Sequence, residues 1–383
     1  MQMQLHFVPV KEKPTIVVKD NDAFPVIIIG GGPAGLATSF TLRARKVPHV
    51  LIDAQTEPSR KPGEALSPNA LPLLKKLGIA HLLDHTTHQR YYGLESCWGS
   101  EKLEGKSLMS ELHRNGYLLD RRWFETQLRG IAQQTAHFFG EGFRLKQIQA
   151  SMIPDQKWEI TIEHPTENQT FRLYTQWVVD ATGRKASVCR HLGQQKQAID
   201  EQFALVFRAK IDQAIPQQIW VEATRDGWWY VAPFDKQHLT MMFFTLKECL
   251  PVGPQKSVFL EQALANTIHL QQWLAPDQML VDEVKVWPAG TSCLELPSGE
   301  GWLAVGDAAY AYDPISSFGI TSALASGFYG GQAVADLLHD KQEAHGVYRY
   351  VLENAFQAYI QQLHTHYSRE QRWPGASFWQ KRF

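Results

Sequence analysis

The segment Gly30-Gly31-Gly32-Pro33-Ala34-Gly35 has the spacing G-x-G-x-x-G and directly follows the β-branched run Val26-Ile27-Ile28-Ile29. Alone such a pattern is an ordinary turn or a phosphate cradle. Gly30 permits a tight turn, Gly32 lets a pyrophosphate approach the backbone, and Gly35 allows a helix to pack closely on the strand. The free N–H groups and positive dipole end of that helix favour the phosphates. Asp53 follows Gly35 by 18 residues, at the end of a second apolar run, His49–Ile52. There its carboxylate can accept both hydroxyls of a ribose. Strand, turn, helix and acid together read as a dinucleotide site built from Gly30, Gly32, Pro33, Ala34, Gly35 and Asp53. That motif alone does not separate FAD from NAD.

Further stretches carry compatible chemistry. Val178-Val179-Asp180-Ala181-Thr182-Gly183-Arg184 is a strand running into a small-residue turn. Gly301–Ala309 is another, followed by Asp313-Pro314 and Phe318-Gly319-Ile320 before a helix. Gly306 permits a close backbone approach, and Asp307 offers a carboxylate to a polyol hydroxyl. Gly319 and Ile320, at a helix start, can present N–H groups to a ring carbonyl that gathers negative charge on reduction. In Gly227-Trp228-Trp229-Tyr230-Val231-Ala232-Pro233, alternation along a strand places Trp228 and Tyr230 on one face and Trp229 on the other. The first pair could stack a substrate ring, or all three could fill a sheet core. His81, Asp84, His85 and His88 sit at helical spacing, as metal ligands or as a solvated helix end. Nothing matches a nucleophile elbow or a P-loop.

The elements that must position these residues follow a βαβ order from Pro25: a strand at Val26–Ile29, a helix over Pro33–Lys46 and a strand at His49–Ile52. Helical patterns recur at Asn69–Leu77 and Arg121–Gln134. Trp158–Ile162 and Phe171–Tyr174 read as antiparallel partners, with Trp177–Val179 a separate buried strand. Phe203–Ala209, Trp228–Val231, Thr240–Leu246 and Val281–Trp287 suggest a larger sheet, with a helix near Ser257–Trp273. The C-terminal part reads as strand Trp302–Val305, helix Thr321–Leu338 and a last helix over Val347–Tyr367. Residues 1–23 read as a polar leader with an edge strand at Thr15–Val18. The class is therefore α/β with a mixed α+β middle, and the α/β ends assemble around the antiparallel insertion.

Composition limits the rest. The 383 residues are 44% hydrophobic and 20% charged, a globular profile that excludes a largely disordered chain. A formal charge of −1 argues against a broad footprint for nucleic acid or anionic lipid. Four cysteines, Cys97, Cys189, Cys249 and Cys293, lie at least 44 residues apart and read as thiols of a reducing compartment. Val26–Leu42 is uncharged, but its glycines and proline suit a strand–turn–helix rather than a membrane span. No signal peptide is read in Met1–Asp22. The expectation is a soluble, cytoplasmic protein without a nucleic-acid or membrane partner.

In this order, the motifs resemble the flavoprotein monooxygenase and flavin-dependent halogenase superfamily, from Pro25 to the C-terminus. The resemblance implies a Rossmann-like FAD-binding domain of the glutathione-reductase/PHBH type with an inserted antiparallel β-sheet substrate domain. It implies residues 24–80, 115–195 and 285–345 for the FAD-binding domain, 81–114 and 196–284 for the substrate domain, and 346–383 for a C-terminal helix and tail. The GxGxxG loop and Asp53 would hold the ADP half of FAD. Gly183, Gly306 and Asp307 would contact the rest of the chain of the cofactor, and Pro314, Gly319 and Ile320 would lie beside its ring. Glu64 and Ala65 match the family's Gly-Glu segment and are implied as cofactor-binding residues, and Arg121 in Asp120-Arg121-Arg122-Trp123-Phe124-Glu125 matches a helix start whose arginine sits near the cofactor.

Departures weigh against halogenation. Tyr230 replaces the second Trp of the halogenase Trp-x-Trp-x-Ile-Pro strand, and Ala232 its Ile. The lysine that steers hypohalous acid has no counterpart in His88–Gly93, and the glutamate expected before Ser-Thr-Gly-Ile is Ser316. The GWWYVAP strand and the tail Tyr367–Trp379 resemble the LodB/GoxB-like flavoproteins that modify tryptophan in tryptophylquinone biosynthesis. The implied activity is FAD-dependent hydroxylation of an aromatic ring through a flavin C4a-hydroperoxide, with O₂ and with NAD(P)H or a separate flavin reductase as electron source. The implied substrate is a tryptophan of a precursor protein. A reductase or dehydrogenase of the same fold and a non-catalytic flavin-binding chaperone are the alternatives.

Overall fold

The computed structural model describes residues 18–58, 61–110, 112–211, 216–251, 253–272 and 283–382. The expected edge strand at Thr15–Val18 lies outside the described residues except for Val18, which is buried but not in a strand.

The first sheet starts from strand β1 (Asp22–Ile29), whose Val26, Ile27 and Ile28 are wholly buried. Branched side chains on both faces suit a central parallel strand covered by helices. Helix α1 (Pro33–Ala44) returns the chain to β2 (His49–Asp53), parallel to β1. The segments Gly93–Cys97 (β3) and Glu104–Ser107 (β4) belong to the second sheet. Helix α2 (Arg121–Thr135) then leads to β5 (Phe138–Glu141), parallel to β2 at the edge of the first sheet. Strands β6 (Arg144–Ala150), β7 (Trp158–His164) and β8 (Gln169–Asp180) follow. The two runs read separately at Phe171–Tyr174 and Trp177–Val179 form one 12-residue strand, β8. Its first half pairs antiparallel with β7, while β1 runs parallel along nearly its whole length. Polar residues Thr175 and Gln176 hid that continuity; the Thr175 hydroxyl is satisfied by the Pro25 carbonyl at 3.2 Å.

The second sheet has seven strands. It adds β9 (Gln202–Lys210), β10 (Gln218–Thr224), β11 (Gly227–Pro233), β12 (His238–Leu246) and β13 (Lys285–Pro288), in the order β13-β9-β12-β11-β10-β3-β4. Strand β10 carries a charge at its centre, which obscured it in the sequence. Glu222 is 2% exposed, and its carboxylate accepts the backbone N–H groups of Ile268, His269 and Leu270. Helix α3 (Lys256–Ala265) covers the face that carries Trp229. It ends earlier than the expected Trp273, which lies outside the described residues.

The chain re-enters the first sheet through Ser298–Gly299 (β14) and Trp302–Ala304 (β15), the latter parallel to β8. Helix α4 (Gly319–Leu337) packs on α1, and α5 (Glu343–Ser368) packs on α4. Close approach of α4 to α1 depends on small residues: a Cβ at Gly327 would lie 2.2 Å from the Ala34 carbonyl oxygen, and one at Gly331 would lie 2.7 Å from Thr41 Cβ. Among the described residues, no helix is long and apolar enough to cross a membrane.

Candidate functional site

Each glycine of the first turn meets a different constraint. Gly30 has φ +114°, and a Cβ there would lie 2.2 Å from the Ala181 carbonyl oxygen. At Gly35 a Cβ would lie 1.9 Å from the Gly30 carbonyl oxygen, so the helix could not close on the strand. Gly32 differs: its backbone is ordinary extended chain, and a Cβ would meet nothing within 4 Å. It therefore faces open space at the N-terminus of α1, where the first-turn N–H groups lack helical partners and Pro33 has none to offer. Pro33 begins that helix and Ala34 is buried in its first turn. Open space over Gly32 fits a pyrophosphate cradle and has no packing purpose.

Distant segments converge on this turn. Ala181, before Gly183, stands against Gly30, while Gly306 (φ +59°) sits over α1 with a Cβ position 2.8 Å from Ala34 Cβ. Asp180 shapes the Ala181–Gly183 turn: its wholly buried carboxylate accepts from Thr182 N and Oγ1 and from Cys189 N. Asp307 extends toward Arg184, 3.5 Å away, and its carbonyl accepts from Lys196 Nζ. Burial lowers the Lys196 ammonium to about 8, against the pull of Asp307.

Asp53 lies beside Gly31, where a Cβ would come 2.5 Å from its Oδ2. That oxygen is also held 2.5 Å from Arg129 Nη1. Arg129 is 4% exposed, reaches Glu141 Oε1 at 2.6 Å and the Gln55 carbonyl at 2.7 Å, and its guanidinium lies 5.0 Å from the Phe139 ring centre. The sequence reading missed Arg129 because its partners are 76 and 12 residues away and nothing in α2 marks it.

The loop expected beside the cofactor ring is anchored by Asp313. This residue is wholly buried; Oδ1 accepts from Ile315 N, and Oδ2 lies 2.9 Å from the Tyr367 hydroxyl, 3.4 Å from Gln202 Nε2 and 3.5 Å from Arg382 Nη1. Burial pushes its carboxyl up to about 6, although Arg382 pulls it down. Pro314 opens a short turn, Ser317 adopts a left-handed φ of 51°, and Gly319 starts α4 with open space at its Cβ position. Ile320 is buried behind it.

Glu64, Ala65 and Arg121 form a second group. Arg121 Nη1 donates to the Gly63 carbonyl at 2.7 Å, and its Nε donates to Glu125 Oε1 at 3.1 Å, so the arginine fixes the Gly63–Glu64 turn. Ala65 pairs with Leu118 in a small antiparallel sheet. The Glu64 carboxylate reaches the seven-stranded sheet, where Oε1 accepts from Thr240 Oγ1 at 3.4 Å. Its Oε2 is excluded from solvent and has no hydrogen-bond partner.

Strand register confirms the alternation in GWWYVAP: Trp228 and Tyr230 face the core shared with α1 and α4, and Trp229 faces α3. Trp228 is 0% exposed, stacks on Phe244 at 3.9 Å and donates its N–H to Gln202 Oε1 at 3.1 Å. It is thus fully engaged in packing. Tyr230 is buried too, but its hydroxyl has no partner. His85 stacks on Trp123 and His88 Nδ1 accepts from Asp120 N, and no group of three His, Cys, Asp or Glu side chains among the described residues could hold a metal. A cleft of about 690 Å³ lined by His85, His88, Arg90, Tyr117 and Asp235 opens beside Pro233, at the end of β11.

Residues 23–358 match the family described as FAD binding domain. The FAD-dependent oxidoreductase LodB of Marinomonas mediterranea is 27% identical over 367 residues, covering 94% of this chain and 97% of the relative. Among solved structures, the flavin-dependent halogenase CmlS superposes with a TM-score of 0.83 at 21% identity, over 94% of this chain and 67% of its own. The peptidyl tryptophan dihydroxylase QhpG, essential for tryptophylquinone cofactor biogenesis, superposes with a TM-score of 0.73 at 22% identity, over 94% of this chain and 78% of its own. With the open turn at Gly32 and the convergence of three distant segments upon it, these likenesses identify the chain as a member of the FAD binding domain family, a flavin-dependent oxidoreductase that uses FAD.

Proposed function

We propose that this flavoprotein is a monooxygenase that hydroxylates an aromatic ring, and that its substrate is a tryptophan of a partner quinoprotein precursor in cysteine tryptophylquinone biosynthesis. One observation carries the reading: an apolar, aromatic sheet face is tied directly to the loop expected beside the cofactor ring. Across β9, β12 and β11 the register aligns Ala204, Phe244 and Trp228 in one row and Val206, Met242 and Tyr230 in the next. Gln202 on β9 joins this sheet to Asp313. The similarity to LodB and the likeness to QhpG support a tryptophan substrate.

Reduced FAD held here would activate O₂, with one oxygen atom going to the ring and the other leaving as water. The chain binds its pyrophosphate over Gly32, its ribose at Asp53 and its ribityl chain at Gly183, Gly306 and Asp307. Pro314, Gly319 and Ile320 would flank the ring, with the start of helix α4 offering N–H groups to it. The buried face around Tyr230 excludes water and orients the substrate ring, which enters through the cleft beside Pro233. Trp228, in the next row of the same face, is held by Phe244 and Gln202 and fixes its shape. The sequence holds a single GxGxxG, so NAD(P)H binds only transiently or a separate reductase supplies the electrons. Co-expression with a quinoprotein precursor tests the reading: mass gains in whole oxygen atoms on its tryptophan support it, and an unmodified partner contradicts it.

A further inference from the structure

Two buried polar groups, one reaching in from the Gly63 turn and one on the inward sheet face, have no hydrogen-bond partner. Glu64 Oε2 and the Tyr230 hydroxyl are both excluded from solvent without a hydrogen bond. Such a group is costly when it is left unpaired. They are neighbours by register. Thr240, which holds Glu64 Oε1, pairs with Ala232, and Tyr230 lies one row along the same face. The two are close enough for the Glu64 carboxylate to raise the Tyr230 phenol further above its burial-driven shift. Burial pushes the Glu64 carboxyl up while Arg121 and Arg208 pull it down, yet their own contacts are elsewhere: Arg121 with Glu125 and Gly63, and Arg208 over the Phe234 ring at 3.4 Å. Tyr91, also buried, completes the group. Glu64 thus crosses from the Gly63 turn to the sheet at Thr240 and leaves one carboxylate oxygen without a hydrogen bond, within electrostatic reach of the Tyr230 phenol.

Resting on the monooxygenase reading above, we propose that Glu64 Oε2 accepts the ring N–H of the substrate and that the Tyr230 ring flanks it, so that Glu64 sets specificity for an N–H heteroaromatic over a hydrocarbon ring. On this reading the Glu64 side chain serves the substrate, not the cofactor for which its match to the family's Gly-Glu segment marks it. The role follows from the general preference of a buried acceptor for a ligand that satisfies it: a site built for an N–H rejects the analogue that lacks one.

The test titrates the FAD-loaded protein with 3-methylindole and 1,3-dimethylindole, reading the perturbation of flavin absorbance. The wild type should bind the N–H compound at least tenfold more tightly, Glu64→Gln should keep a smaller preference, and Glu64→Leu should bind both equally. All three should retain stoichiometric FAD. Equal affinities in the wild type would overturn the Glu64 assignment alone, and loss of FAD from Glu64→Leu would make the residue a cofactor ligand and overturn it too. If neither indole perturbed the wild-type flavin, the aromatic-substrate reading would fall, and this inference with it.

Discussion

The Tyr367 hydroxyl, near the end of the C-terminal helix, donates to the buried carboxylate of Asp313 at 2.9 Å, and Asp313 heads the loop that runs to Gly319. The tail after that helix continues the contact: Arg382 lies 3.0 Å from Asp200 and 3.5 Å from Asp313. Helix and tail therefore brace the segment expected beside the flavin ring. Replacing Tyr367 by Phe removes one donor from a buried carboxylate and should cost about 1–3 kcal/mol in urea unfolding. Its flavin spectrum should shift as the loop loosens.

Asp313 also gives a pH signature. Its carboxyl is raised from 3.8 to about 6, chiefly by burial. The folded chain thus retains a proton that the unfolded chain releases, and the resulting stability is complete below about pH 4 and lost as pH rises through about 6. Asp313→Asn should flatten this component of the unfolding free energy between those limits. An unchanged pH profile would remove Asp313 as its source.

Gly32 and Gly35 should separate cofactor binding from folding. Gly32→Val places a side chain in open space on ordinary backbone, so the chain should fold with stability within about 1 kcal/mol of wild type yet lose its flavin absorbance. Gly35→Val forces a Cβ to 1.9 Å from the Gly30 carbonyl oxygen and should cost at least about 3 kcal/mol. Circular dichroism and bound-flavin content distinguish the two outcomes.

Arg129 should matter to both. Arg129→Met leaves Asp53 and Glu141 without their buried cation. Both carboxylates keep some solvent contact, which places the loss at the low end for a broken buried pair, about 3 kcal/mol. If Asp53 holds the ribose as proposed, freeing it should lower FAD affinity at least about tenfold, or about 1.4 kcal/mol, in a fluorescence titration.

How far the sequence revealed this site depends on which forces set each residue. The glycine turn was legible because backbone geometry alone demands Gly30 and Gly35, whatever surrounds them. Alternation in GWWYVAP likewise gave the faces of Trp228, Trp229 and Tyr230, since a strand has a fixed period. It did not reveal that Trp228 is held by Phe244 and Gln202, which come from other strands. Arg129, Tyr367 and Arg382 were missed for the same reason: each acts through a carboxylate far along the chain. Strand β10 was hidden by the charge of Glu222, satisfied by backbone donors that only the folded chain brings near.

The central claim is oxygen transfer to an aromatic ring. Its most direct test supplies the FAD-loaded protein with a reductant, isotopically labelled dioxygen and a tryptophan-bearing precursor polypeptide, followed by mass spectrometry of the polypeptide. The account expects labelled oxygen on the indole, dependent on FAD and on O₂. A product formed without O₂, or an indole carrying oxygen only from water, would contradict it.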